Sequence, residues 1–167
     1  MIHIRQAHRD DLPALTAVRY PDCPAIHRDR IDASAPHRLH YFVAEFNQQI
    51  VGFGVLLVER PSDWTDSLNA FPILIDLFVA ELYRSRGIGQ ALIQHVEEVA
   101  RHYGKSALYL SVEPRANPRA LQLYLRLGYI SLQDQPYHNT WRFSDSEGRV
   151  HEGEEWVIDM RKQLDSN

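Results

Sequence analysis

Cysteine is nearly missing from this chain: Cys23 is the only one among 167 residues. No intrachain disulfide can form and no multi-cysteine zinc site can be built, so the composition points to a reducing compartment. Long apolar runs are missing too. The opening stretch, Met1-Ile-His-Ile-Arg-Gln-Ala-His-Arg-Asp-Asp11, carries charge where a signal peptide needs its apolar segment, and no later run reaches membrane-spanning length. A cytoplasmic location and no membrane partner are expected. Positive charge is not in surplus: the formal net charge is -4, which leaves no global basic field for a phosphate backbone and predicts no nucleic-acid partner. The nine histidines are scattered without ligand spacing, so no metal is expected.

What remains is an ordinary globular composition, 44% hydrophobic and 24% charged, in a length that suits a single domain over 1–167. Ile2 and Ile4 suit a short strand, and Asp10 and Asp11 offer caps for a helix carrying Leu12, Leu15 and Val18. Between Arg19 and His40, prolines at 21, 24 and 36 argue for a loop or short helices. Residues 41–45 and 50–57 read as a hairpin, and the apolar run 71–79, broken only by Asp76, reads as a central strand covered on both faces. After Gly89, apolar positions at three- and four-residue spacing predict an amphipathic helix ending near Gly104. A strand over 107–112, a short helix from the Asn117 cap to Leu127, and strands at 137–143 and 155–161 follow. Periodicity alone supports an α/β or α+β domain.

The chemically informative stretch runs from Leu77 to Gln90, out of a buried strand, through a glycine turn, into a helix. Helix starts expose unpaired N–H groups and the positive end of the dipole, and most place Asp or Glu there. This one is flanked by Arg84 and Arg86, and its first carboxylates are Glu97 and Glu98. A bound phosphate would supply the missing anion, with Gly87 and Gly89 letting it approach the backbone. Two glycines could equally make a plain tight turn among solvated arginines. A dinucleotide fingerprint would need Gly or Ala where Leu92 stands, and no Gly-Lys-Ser/Thr of a P-loop follows.

The segment Leu77-Phe78-Val79 with Tyr83-Arg84-Ser85-Arg86-Gly87-Ile88-Gly89 resembles the acyl-CoA pyrophosphate motif, Gln/Arg-x-x-Gly-x-Gly/Ala, of the GNAT family of N-acetyltransferases. The hairpin Phe42-Val-Ala-Glu through Gly54, the later Asn117, Ala120, Tyr124 and Gly128-Tyr129, and the opening Ile4-Arg-Gln-Ala fall in the same order as in that family. Glu81 and Ser85 depart from it, standing where proline and glycine are common. The resemblance implies a mixed, mostly antiparallel central sheet flanked by helices, with its fourth and fifth strands splayed around acetyl-CoA. It implies that Leu77, Phe78, Val79, Arg84, Ser85, Arg86, Gly87, Ile88, Gly89, Gln90 and Asn117 hold the co-substrate. Tyr124 would bind it too and act as general acid for the departing sulfur. A homodimer is left open.

Direct acetyl transfer needs a neutral amine, a stabilised oxyanion and a proton for the thiolate. Asp76, the single charge in an apolar strand, is one candidate for binding or deprotonating the amine; Glu113, just past the next strand, is the other, and a water chain could replace both. The carboxylates Asp145, Glu147, Glu152, Glu154 and Glu155 would form an acidic rim that attracts a cation. The expected activity is acetyl-CoA-dependent N-acetylation of a small cationic amine. Acetylation of a protein lysine or N-terminus and non-catalytic acyl-CoA sensing are the alternatives.

Overall fold

The computed structural model describes residues 1–165. Its strands are β1 (Ile2–Gln6), β2 (Leu39–Phe46), β3 (Gln49–Leu57), β4 (Ile73–Val79), β5 (Ala107–Val112), β6 (Ile130–Ser131), β7 (Tyr137–Ser144) and β8 (Val150–Gln163). Its α-helices are α1 (Leu12–Val18), α2 (Pro24–Ala33), α3 (Ile88–His102) and α4 (Pro118–Arg126). The sheet runs β1-β2-β3-β4-β5-β8-β6, with β7 pairing β8 off that path. Every pairing is antiparallel except β4 with β5. This is the mixed, mostly antiparallel sheet with flanking helices that the resemblance implied.

The parallel pair is joined at one registered position, Ile73 opposite Tyr109, where the Tyr109 N–H donates to the Pro72 carbonyl at 3.0 Å. Beyond it the two strands part. Leu77, Phe78 and Val79 are half-exposed although β4 sits in the middle of the sheet, so the strand that reads as covered on both faces is open along one edge. The right-handed crossover rule for parallel strands places α3 across one face of the sheet.

On that face Ile88, Leu92, Ile93, Val96 and Ala100 of α3 pack with Leu56, Leu74, Leu108 and Leu110. On the other, Leu15 of α1 joins Tyr41, Val43, Phe53 and Val55, with Ile31, Ile75 and Phe78 against them. The irregular stretch 19–40 thus holds a ten-residue helix, α2, which buries Ala25, Ile26 and His27. Its proline stands in the first turn, where a missing N–H costs nothing. β6 was not expected, and β8 is longer at both ends than the expected 155–161. Its last half pairs with β5 and its first half with β7, forming an arm that leaves the main sheet.

The tip of this arm is tied to α2. The Ser146 N–H donates to the Asp29 carboxylate at 2.8 Å, Arg28 pairs with Glu147 at 2.8 Å, and Arg149 donates to the Asp22 carbonyl at 3.1 Å and to the Cys23 sulfur at 2.7 Å. The arm therefore bridges from the β5–β8 side of the molecule to the α1–α2 side.

Candidate active site

The glycine turn forms the start of α3. Gly87 is the N-cap at φ 81, a left-handed conformation that suits glycine, with no side-chain cap and no acidic residue in the first turn. A Cβ on Gly89 would come within 3.3 Å of Leu123 Cδ2, so glycine here lets α3 approach α4 closely. Ser85 also sits at φ 61, which puts mild strain into the turn where it departs from the family pattern. Arg84 Nε donates to the Val79 carbonyl at 2.9 Å, and the Arg86 guanidinium lies 5.6 Å from the Phe46 ring. Both arginines are exposed beside the uncapped helix.

Behind the turn, α4 presents Tyr124, which is buried, 5.9 Å from the Tyr129 ring in a T-shaped contact. Burial alone pushes its phenol up to about 12. The phenol therefore stays protonated at neutral pH. Asn117 occupies the N-cap position of α4, yet its side chain makes no capping hydrogen bond. The amide is exposed and free, contrary to the capping role read from the sequence.

On the α1–α2 face, β4 carries a bulge. Phe53 pairs with Phe78 and Val55 with Ile75, so two residues of β4, Asp76 and Leu77, stand opposite Gly54. Asp76 adopts φ 48 there. Its carboxylate accepts from Arg19 Nη1 at 2.7 Å and from the Tyr20 hydroxyl at 2.9 Å, and Arg30 Nη1 lies 2.7 Å from Oδ2. The Arg30 contact is an ion pair without good alignment, since Nη1 is buried and makes no well-directed hydrogen bond. Asp76 is therefore not the isolated carboxylate that the apolar run suggested: both oxygens are engaged, by partners 46 to 57 residues away in sequence.

A buried histidine braces this cluster. His27 contacts the Arg19 carbonyl through Nε2 at 2.6 Å and the Tyr41 hydroxyl through Nδ1 at 2.7 Å. A carbonyl only accepts, so Nε2 carries the proton and the Tyr41 hydroxyl donates to Nδ1. Burial, the largest influence, lowers the His27 pKa, which keeps this neutral tautomer in place.

Across the splayed gap lies a negative pole. Leu108, Leu110 and Val112 face α3, so strand alternation turns Ser111 and Glu113 toward the α1–α2 side. Glu155 of β8 is raised above the usual carboxylate range, mainly by burial and further by the charges of Glu113 and Asp66, against an Asn139 hydrogen bond that lowers it. Asn139 Nδ2 donates to Asp66 at 3.2 Å and to Glu155 at 3.4 Å. Asp159 beside them accepts from Ser111 at 2.6 Å, Gln133 at 2.8 Å and Tyr137 at 2.9 Å. The expected acidic rim shrinks accordingly. Asp145 caps the hairpin turn and pairs with His151, Glu147 pairs with Arg28, Glu152 with Arg142 and Glu154 with His138. Of the five, Glu155 alone joins the pole.

A model of the acetyltransferase (GNAT) family matches residues 2–129. The chain belongs to the GNAT family. It is 36% identical over 94 residues to thialysine N-epsilon-acetyltransferase from Bos taurus, covering 56% of this chain and 52% of that protein. It is 33% identical over 93 residues to an uncharacterised N-acetyltransferase from Methanocaldococcus jannaschii, covering 53% of this chain and 38% of the relative. The matches thus span about half or less of the curated relatives. In fold, the GNAT chain resembles the PaiA N-acetyltransferase of Thermoplasma acidophilum, solved in complex with coenzyme A, at a TM-score of 0.69 and 17% identity over 98% of this chain and 99% of that one. Among the described residues no helix is long and apolar enough to cross a membrane, and no group of three or more His, Cys, Asp or Glu side chains is arranged to hold a metal ion.

Proposed function

We propose that this GNAT domain transfers acetyl from acetyl-CoA directly to a small amine bound in the same complex. The observation that carries the reading is the uncapped start of α3, flanked by two exposed arginines and opening on the β4–β5 gap. The first-turn N–H groups of Ile88, Gly89 and Gln90, with Ser85, Arg84 and Arg86, would hold the pyrophosphate. The unpaired edge of β4 at Leu77, Phe78 and Val79 would receive the amide arm as a strand receives a neighbour, with the free Asn117 amide on its far side.

Holding both reactants in one gap supplies much of the rate. As the amine nitrogen bonds to the acetyl carbon, the C–S bond breaks and Tyr124 gives its proton to the leaving thiolate, while the proton that the nitrogen sheds on becoming an amide passes to solvent and the phenol is restored from there. Before attack, the ammonium must lose a proton. Glu113 and Glu155 suit that step, because burial and the like charge of Glu113 raise Glu155 above the usual carboxylate range. Asp76, held by two guanidiniums, orients the acceptor side of the gap.

A small acceptor is favoured over a protein by the arm tied to α2, which bounds the face where an extended peptide would lie. The bovine relative is likewise named for an amine of a small molecule, thialysine. Incubation with acetyl-CoA and a panel of small amines and peptides, followed by release of free CoA thiol, tests this reading. Small amines should be turned over and peptides should not. Binding of acetyl-CoA without turnover of any amine would leave a sensor, and preferred peptides would make it a protein acetyltransferase.

A further inference from the structure

Two guanidiniums share one carboxylate at the β4 bulge, which leaves one positive charge over on the acceptor side of the gap. That charge has a defined carrier. Arg30 is largely enclosed, its side chain 16% exposed and its Nη1 turned to Asp76, whereas the Arg19 side chain is 37% exposed. Arg19 uses only Nη1 on Asp76. Among the described residues its Nε and Nη2 have no acceptor, and together they form the side-on edge of the guanidinium fork, which matches the two oxygens of a carboxylate.

The fork is also held still. Its carbon lies 4.6 Å from the Phe78 ring centre and 4.8 Å from that of Tyr20, so the guanidinium is packed by aromatic rings on β4 and in the loop just after α1. Its own carbonyl is bonded to buried His27 at 2.6 Å. The next residue, Tyr20, takes φ 60, and Asp76 opposite takes φ 48. Left-handed tyrosine and aspartate cost energy, and such strain survives where the surroundings over-determine it. A solvated surface arginine would need none of this bracing.

On the same face, on the β5–β8 side of the gap, Asn139 Nδ2 reaches both Asp66 at 3.2 Å and Glu155 at 3.4 Å, and Glu113 follows the end of β5, which pairs with β8 through Ser111 and Asp159. We infer that the acceptor carries both charges: an ammonium drawn to the acidic pole and a carboxylate gripped side-on by Arg19, as in an amino acid. This rests on the amine acetyltransferase reading and narrows its substrate class. Arg19 is then a specificity-determining residue with no part in the bond-making step.

The test compares each of the twenty amino acids with its own carboxamide, alongside simple diamines, using the full chain, acetyl-CoA and thiol release. The acids that are substrates should exceed their amides in kcat/KM by roughly ten- to a hundredfold, the worth of a charge-assisted fork. In Arg19→Gln that ratio should fall toward one through a rise in the acid's KM, while Arg19→Lys restores part of it. Acetyl-CoA affinity, read by calorimetry, should stay within twofold in both variants. Amides or diamines matching the acids would overturn the inference and leave the amine acetyltransferase standing. A loss of acetyl-CoA affinity in Arg19→Gln with the acid-to-amide ratio unchanged would overturn it by assigning Arg19 to the co-substrate. Turnover of none of these amines would overturn the amine reading itself, and the inference with it.

Discussion

Tyr124 and Glu155 are the two residues of the proposed proton transfers whose surroundings shift them. Burial pushes the Tyr124 phenol up to about 12, with no charge or hydrogen bond contributing. In the proposed mechanism Tyr124→Phe removes a proton needed only as sulfur leaves, so kcat should fall on the order of a hundredfold while acetyl-CoA affinity holds; steady-state kinetics with calorimetry measures both. Glu155 is raised by burial and by Glu113 and Asp66. As the proposed base it works only when ionised, so the rate should decline as pH falls through its raised pKa. Glu155→Gln should remove that acid limb, whereas Asp76→Asn should leave it in place. The linkage sign gives a second readout. A carboxyl whose pKa is higher folded than unfolded favours the fold below its unfolded value and loses that favour as pH rises through the folded one. Glu155→Gln should therefore raise the melting temperature at neutral pH relative to the parent, with the gain fading in acid. Asp76→Asn should instead destabilise by about 3 kcal/mol, because enclosed Arg30 loses its counter-charge. Denaturant midpoints would measure it. Asp76 stood out in the sequence as a charge in an apolar run, but its partners Arg19, Tyr20 and Arg30 could not be read there: they meet it only once α1 and α2 fold over β4.

Among the elements, the glycine turn and α3 were legible because their signals are local. Apolar spacing at Ala91, Leu92, His95, Val96, Val99 and Tyr103 announced the helix, and the missing first-turn carboxylate was visible by inspection, but the fully buried stripe, Ile88, Leu92, Ile93, Val96 and Ala100, is turned from that reading and shares only Leu92 and Val96 with it. Glu97 breaks that pattern. It lies buried on the apolar face because Lys162 Nζ, 2.9 Å away, and the Tyr129 hydroxyl, also at 2.9 Å, come from the far end of the chain. The β7–β8 arm was half-legible: its strands alternate, but its docking on α2 depends on Asp29, Arg28 and Cys23, more than a hundred residues earlier. That docking bounds the proposed acceptor side, and its contacts are partly solvent-exposed. The double variant Asp29→Ala, Arg28→Ala should thus cost no more than about 1–2 kcal/mol in stability. It should raise the acceptor KM several-fold and leave acetyl-CoA affinity unchanged, as separate titrations of the two substrates would report. An unchanged KM would mean that the arm does not shape the acceptor site.

For the whole molecule, the fold exists to keep β4 and β5 joined at one end and open at the other, with the positive end of α3 beside the opening. Family membership over residues 2–129 and the solved acetyltransferase of like fold agree with that architecture. A ligand that binds only the folded state stabilises it by about 2.7 kcal/mol at a hundred times its Kd. In a domain of this size that is roughly 5–10 °C in Tm, and added salt should diminish the rise by screening Arg84 and Arg86. The most direct measurement is a pair of calorimetric titrations, one with acetyl-CoA and one with S-acetylpantetheine, which keeps the thioester and amide arm but lacks the pyrophosphate. The expected result is one acetyl-CoA bound per chain and at least a hundredfold weaker binding of the truncated thioester. Equal affinity for the two, or no heat with acetyl-CoA, would contradict the assignment of the 84–90 turn as the anion site on which the proposed activity rests.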